Sequence, residues 1–152
     1  MGEWVVGAPP VVVGGVTRLR VGSAAESVKV AREWVGDWLY DHGYAEASLF
    51  PAQVVVSELV TNAYRHAHVP GRPITVALYR SEGGVVCVVG DASEKEPEPQ
   101  EFSLRATSGR GLSMIGFLVR SWGWHHPVAG GKGVWAVLDA EVDPSALDDV
   151  DG

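Results

Sequence analysis

Apolar and polar positions change period several times along the chain, and each change marks an element. Over Val16–Val21, Val16, Arg18 and Arg20 alternate with Thr17, Leu19 and Val21, the period of a strand. Residues 1–22 otherwise read as a loose start, with two Trp/Val-rich stretches separated by glycines that could pair as a hairpin. Val28, Ala31, Val35, Trp38 and Leu39 then fall on one helical face. Ser23-Ala24-Ala25-Glu26 has the form of a capping box at the start of that helix, and Gly43 is a stop signal. A second helix spans about 45–67, with a broad apolar face from Leu49 to Ala63. Pro51 places the regular start of this helix at or near itself, since a first-turn proline is tolerated.

Ile74, Val76 and Leu78 alternate with Thr75, Ala77 and Tyr79; Glu82-Gly83-Gly84 makes a hairpin turn, and the apolar run Val85–Val89 predicts a buried central strand ending in Gly90-Asp91. After an exposed segment over 92–107, Gly109-Arg110-Gly111 opens a third helix with Leu112, Ile115, Leu118 and Val119. Trp122–His126 and Val134–Leu138 are two further strands joined by a glycine-rich turn. Strands linked by tight turns make a mostly antiparallel sheet, and the helices must cover one of its faces. The expected fold is an α+β two-layer sandwich, with about three helices on a mixed, mostly antiparallel sheet. Residues 1–142 form one domain and 143–152 an acidic flexible tail.

Composition narrows the function classes. The chain has 152 residues, 46% hydrophobic and 20% charged, which fits one soluble domain of ordinary composition. The longest apolar runs fall far short of the ~20 residues a membrane helix needs. The start lacks the pattern of a signal peptide. A single cysteine, Cys87, permits no internal disulfide, and a cytoplasmic location is the expectation. The net charge of −7 is uneven: residues 91–101 and 139–151 contribute −4 and −6, leaving about +3 elsewhere. No basic stripe suits nucleic-acid phosphates, so direct nucleic-acid binding is not expected.

Four features could carry chemistry. In Ser57-Glu58-Leu59-Val60-Thr61-Asn62-Ala63-Tyr64-Arg65-His66, the residues Glu58, Asn62 and His66 are spaced by four, and each step advances about 40° past one helical turn. They form one stripe of carboxylate, amide and imidazole, which on spacing alone also fits a solvated helix face. Asn62 is the sole asparagine of the chain and a poor choice in mid-helix without a reason. Asp91, in Gly90-Asp91-Ala92-Ser93, ends an apolar strand. Ser108-Gly109-Arg110-Gly111-Leu112 could bring backbone N–H groups to an anion at a helix start. Gly131-Lys132-Gly133 sits in the last hairpin and lacks the spacing of a Walker phosphate loop. Alone, the last three also fit ordinary turns.

The order of these features resembles the gyrase, chaperone, histidine kinase and mismatch-repair ATPase (GHKL) superfamily, whose nucleotide-binding architecture is the Bergerat fold. Within it, the chain looks most like the bacterial anti-sigma regulatory factor serine/threonine protein kinases. The resemblance rests on the Ser57–His66 motif, Gly109-Arg110-Gly111-Leu112, and Trp122-Gly123 ahead of Gly131-Lys132-Gly133-Val134-Trp135, and it covers about residues 20–140. It implies ATP and Mg²⁺ as cofactors. Asn62 is then the metal ligand and Glu58 the general base toward a serine hydroxyl. Asp91 accepts from the adenine amino group, and Gly109 and Gly111 flank the phosphates at the hinge of a lid over 94–107. Arg105 and Arg110 neutralise phosphate charge, His66 lines the rim, and Leu112 and Lys132 complete the ATP-binding set. The implied partners are a sigma factor and an anti-sigma-antagonist protein, and the implied assembly is a homodimer. Two positions depart from the superfamily pattern: Ser93 stands where Asp-x-Gly has glycine, and Gly133 where a Thr or Ser is common. Both lie at the adenine end. They support an alternative, a degenerate module that binds nucleotide or a partner without kinase activity. A sensor kinase piece acting on histidine is disfavoured by the lack of a dimerisation helix pair.

Overall fold

The computed structural model describes residues 2–97 and 114–145. In chain order these residues form β1 (Glu3–Val6), β2 (Val13–Val21), α1 (Glu26–Asp41), α2 (Glu46–His66), β3 (Ile74–Ser81), β4 (Gly84–Asp91), α3 (Met114–Leu118), β5 (Val119–His125) and β6 (Lys132–Leu138). The six strands make one sheet in the order β1-β5-β6-β4-β3-β2. All neighbours are antiparallel except β1 and β5, which are parallel. The two-layer α+β sandwich expected from the sequence is the observed fold.

The core lies between the helices and one face of the sheet. Ile74, Val76 and Leu78 of β3, Val85, Cys87 and Val89 of β4, and Ala136 and Leu138 of β6 meet Val35 and Leu39 of α1 and Val55, Val56, Leu59 and Val60 of α2. Burial pushes the Cys87 thiol up to about 12, so it is inert as a nucleophile at neutral pH. Trp38 belongs to this core, and its indole N–H donates to Thr17 Oγ1 at 3.2 Å. Gly36 lets α1 and α2 approach, because a Cβ there would come within 2.6 Å of Gln53 Nε2, which in turn donates to the Arg32 carbonyl.

Four local expectations are corrected. Helix α1 starts at Glu26 with Ala25 as N-cap and no side-chain cap; the Ser23 hydroxyl is instead bonded to His68 Nδ1 at 2.7 Å. Helix α2 starts at Glu46, so Pro51 lies inside it. The proline removes the N–H that would reach the Ala47 carbonyl, but the first turn is pinned from outside. Ala45 N donates to the Glu141 carbonyl and Glu141 N to Ser48 Oγ. Val119 is the first residue of β5, not the last of α3. Finally, β1 and β2 do not pair: they lie at opposite edges of the sheet.

That separation creates a strap. Between β1 and β2 the chain must cross five strand spacings of about 4.8 Å. The seven residue steps from Val6 to Val13 reach about 24 Å when extended, so the segment crosses nearly straight. It passes over the sheet face opposite the helices, where Trp135 Nε1 donates to the Gly7 carbonyl at 2.9 Å and Tyr79 Oη to the Pro10 carbonyl at 2.6 Å. A second buried cluster of Tyr79, Val86, Trp135 and Val137 lies on this face. Burial pushes the Tyr79 hydroxyl up to about 12. Tyr79→Phe is expected to cost about 1 kcal/mol in urea unfolding at pH 7, the usual net worth of one such hydrogen bond. The folded chain holds the Tyr79 proton after the unfolded chain loses it, so wild-type stability falls as pH rises from 10 toward 12. The gap to the Phe variant should narrow over that window.

Candidate functional site

Helix α2 carries the stripe of Glu58, Asn62 and His66, and the three residues have different surroundings. Asn62 is 5% exposed, Glu58 is half-buried one turn earlier, and His66 is exposed one turn later. The centre of the stripe is therefore not a solvated face. Neighbouring helix hydroxyls are satisfied locally: Ser57 Oγ donates to the Gln53 carbonyl and Thr61 Oγ1 to the Ser57 carbonyl. Asn62 is not. Its Oδ1 and Nδ2 are the two buried side-chain polar atoms without a hydrogen-bond partner among the described residues. An unpaired buried amide costs about 1–3 kcal/mol, so the fold carries this side chain at a loss.

The amide opens onto a narrow cleft. Leu59, Asn62, Ala63 and His66 line it from α2, Val89 and Asp91 from β4, and Lys132 and Val134 from β6; Lys95, Glu96 and Pro97 close it. The strand side depends on register. In the β4–β6 pair Asp91 stands directly opposite Lys132, so their side chains share a face. Lys132 Nζ lies 3.1 Å from Asp91 Oδ1, and the two side chains are 6% and 5% exposed. Ser93 N also donates to Asp91 Oδ1, at 2.8 Å. Burial pushes the Asp91 carboxyl above its ordinary value, while Lys132 and the Ser93 N–H pull it back.

A glycine brings the pair together. Gly131 has φ +70°, and a Cβ there would overlap the Asp91 carbonyl oxygen. Glycine alone lets the turn after β5 lie this close to the end of β4. Glu94 fastens the same turn: its Oε1 accepts from Gly131 N at 2.8 Å, and its Oε2 lies 3.5 Å from His126 Nδ1. Gly133 also has a local cause. A Cβ there would sit 3.1 Å from His125 Nε2 and 3.2 Å from Val88 Cγ1, so the His125 ring takes the room that a hydroxyl-bearing side chain would need.

The structure thus brings Asn62, His66, Asp91 and Lys132 to one cleft, with Glu58 beside it on α2. Arg105, Gly109, Arg110, Gly111, Leu112 and most of the 94–107 lid segment lie outside the described residues. Sequence reasoning named Asp91 and Lys132 separately and missed their pairing. The available signal was one acid and one base at facing ends of two apolar strands. It also missed Glu94 as the clamp on the final turn. Among the described residues no helix is long and apolar enough to cross a membrane.

One amide oxygen is a meagre metal site by itself. It fits Mg²⁺, which keeps water and phosphate oxygens as most of its ligands and takes few from protein. The orphaned, buried amide of Asn62 is the donor such an ion would use, and an apolar cleft with a charged far end suits a ring joined to phosphates.

Comparison with known proteins agrees with the fold. A family model described as the histidine kinase-like ATPase domain matches residues 21–138. Among solved structures, the RsbU and RsbW domains of Rv1364c from Mycobacterium tuberculosis match with a TM-score of 0.61 at 20% sequence identity, over 84% of this chain and 33% of that one. The chain spans about a third of that protein's length, and the likeness is one of fold. No curated protein matches the sequence closely.

Proposed function

Since the chain belongs to the histidine kinase-like ATPase domain family, we propose that it binds ATP with Mg²⁺ in the cleft between α2 and the ends of β4 and β6, and transfers phosphate to a protein serine or threonine. In this reading Asn62 Oδ1 holds the metal and Asp91 receives the amino edge of adenine. Bound Mg²⁺ would draw charge from the phosphate oxygens. The Glu58 carboxylate accepts the proton of the attacking hydroxyl. The observation that carries the reading is the Asn62 amide, buried, unpaired and turned into the cleft wall. The partners follow from the resemblance to anti-sigma regulatory kinases and from the fold shared with a structure that contains an RsbW domain. They are an anti-sigma-antagonist protein as phosphate acceptor and a sigma factor held in a complex, with the kinase as a homodimer.

Calorimetric titration with ATP, with and without Mg²⁺, tests the binding step. Asn62→Ala should lower Mg-ATP affinity at least about tenfold, while metal-free nucleotide binding stays nearly intact. The unliganded variant should melt no lower than wild type, because the substitution removes an unpaired buried amide. Equal loss with and without Mg²⁺, or a marked fall in melting temperature, would show that Asn62 serves the fold.

A second reading is a partner-binding module without phosphate transfer. It is favoured by the adenine end, where Gly133 offers no hydroxyl and Lys132 already engages Asp91. Transfer of radioactive phosphate to a purified antagonist protein separates the two readings.

A further inference from the structure

The Asp91–Lys132 pair has unused hydrogen-bonding capacity. An ammonium carries three donors and a carboxylate about four acceptor sites. Among the described residues Lys132 Nζ has one partner, Asp91 Oδ1. Asp91 Oδ1 takes both Lys132 and Ser93 N, and Asp91 Oδ2 accepts no bond from a described residue. The remaining groups lie at one end of a cleft whose walls include Leu59, Ala63, Val89 and Val134. Two spare ammonium N–H groups therefore stand beside a carboxylate at the end of an apolar slot.

A carboxylate alone would discriminate strongly between purines. Adenine offers it an N6 amino donor, whereas the O6 of a 6-oxopurine is an acceptor. O6 against a lone buried carboxylate would be unpaired and repelled, and such mismatches produce large selectivity. A buried ammonium beside the carboxylate changes this. With adenine, N6–H donates to Asp91 and N1 accepts from Lys132. With a 6-oxopurine, O6 accepts from Lys132 and N1–H donates to Asp91. Each edge presents one donor and one acceptor to the same pair.

We propose that Lys132 is a specificity residue that opens the cleft to 6-oxopurine nucleotides as well as ATP. The proposal rests on the nucleotide-site reading above. Inosine triphosphate is the cleanest probe, because it carries the O6 and N1–H edge without the 2-amino group of guanine. Equilibrium binding of ATP and ITP to the full chain in Mg²⁺ should give dissociation constants within about tenfold of each other. Lys132→Met should weaken ITP at least about tenfold more than ATP: adenine loses one bond at N1 and keeps N6–H on Asp91, whereas O6 loses its donor and is left beside a lone buried carboxylate that repels it. ATP binding with ITP more than tenfold weaker would overturn this proposal and leave the ATP site standing. Equal weakening of both ligands in Lys132→Met would also overturn it. Binding of neither nucleotide would overturn the nucleotide-site reading, and this proposal with it. Should the variant fail to fold, as thermal unfolding would reveal, the wild-type ratio of ITP to ATP affinity decides alone.

Discussion

Glu58→Gln is expected to leave ATP affinity within a few-fold of wild type and to slow phosphate transfer by about 10²–10⁴, the usual contribution of a general base. The amide keeps the size and most of the shape of the carboxylate, so packing on α2 is preserved while proton acceptance is lost. Glu58 stands one turn from Asn62 and is half-buried, outside the wall of the cleft. Its removal should therefore appear in kcat and not in the dissociation constant for ATP. Single-turnover transfer to the antagonist protein, beside calorimetric ATP binding, separates the two. Parent-rate transfer by the variant would remove Glu58 from the mechanism. Parallel loss of affinity and rate would make it a binding residue.

Lys132→Met is expected to cost about 3–5 kcal/mol of folding stability at neutral pH, because it leaves Asp91 as an uncompensated buried charge. The partners are 6% and 5% exposed, so solvent screens the pair little. Replacing both, as Asp91→Leu with Lys132→Met, should restore most of the loss, since apolar side chains of similar volume remove the buried charge. Urea unfolding of the single and double variants measures this; a double variant as weak as the single one would contradict it. The pH dependence has a definite sign. Folding raises the Asp91 carboxyl above its ordinary 3.8, so the folded chain still holds that proton after the unfolded chain has lost it. Stability therefore declines as pH rises from about 4, until the folded carboxyl has ionised. Without Lys132 the opposing positive charge is gone. The decline should then extend to higher pH, and the gap to wild type should shrink in acid.

The periodic parts of this fold were legible from the chain. The β3–β4 hairpin and the α1 and α2 faces follow from alternation and helical spacing, which depend on near neighbours. The misreadings all involve distant partners. Ser23 has the residue type for a cap, but its hydroxyl is taken by His68, 45 positions away. Pro51 looks like a helix start, but the helix begins earlier because Glu141 holds the first turn. Strand β1 is only four residues long, and nothing local in Glu3–Val6 specifies a parallel partner at Ser121–Trp124. The candidate site divides in the same way. A sole asparagine in mid-helix stood out in the sequence, but its burial without a partner could not be read there. The Asp91–Lys132 pair needs the β4–β6 register, which exists only once the sheet has formed.

The parallel pairing of β1 with β5 also sets an order of events during synthesis. Glu3 is made well before its register partner Ser121, which follows 118 residues later. At about 5–20 residues per second that is a wait of roughly 6–24 s. The helical hairpin and the β3–β4 hairpin pair segments that are close in sequence and can form within that interval, and β2 is already made when β3 appears. Strand β1 can add only after β5 exists, and the strap behind it can lie down only once β6 has brought Trp135 into the sheet. The strand of this sheet that is made first is therefore the last to find its place, and until then the β5 edge of the nascent sheet stands open to any other strand that reaches it.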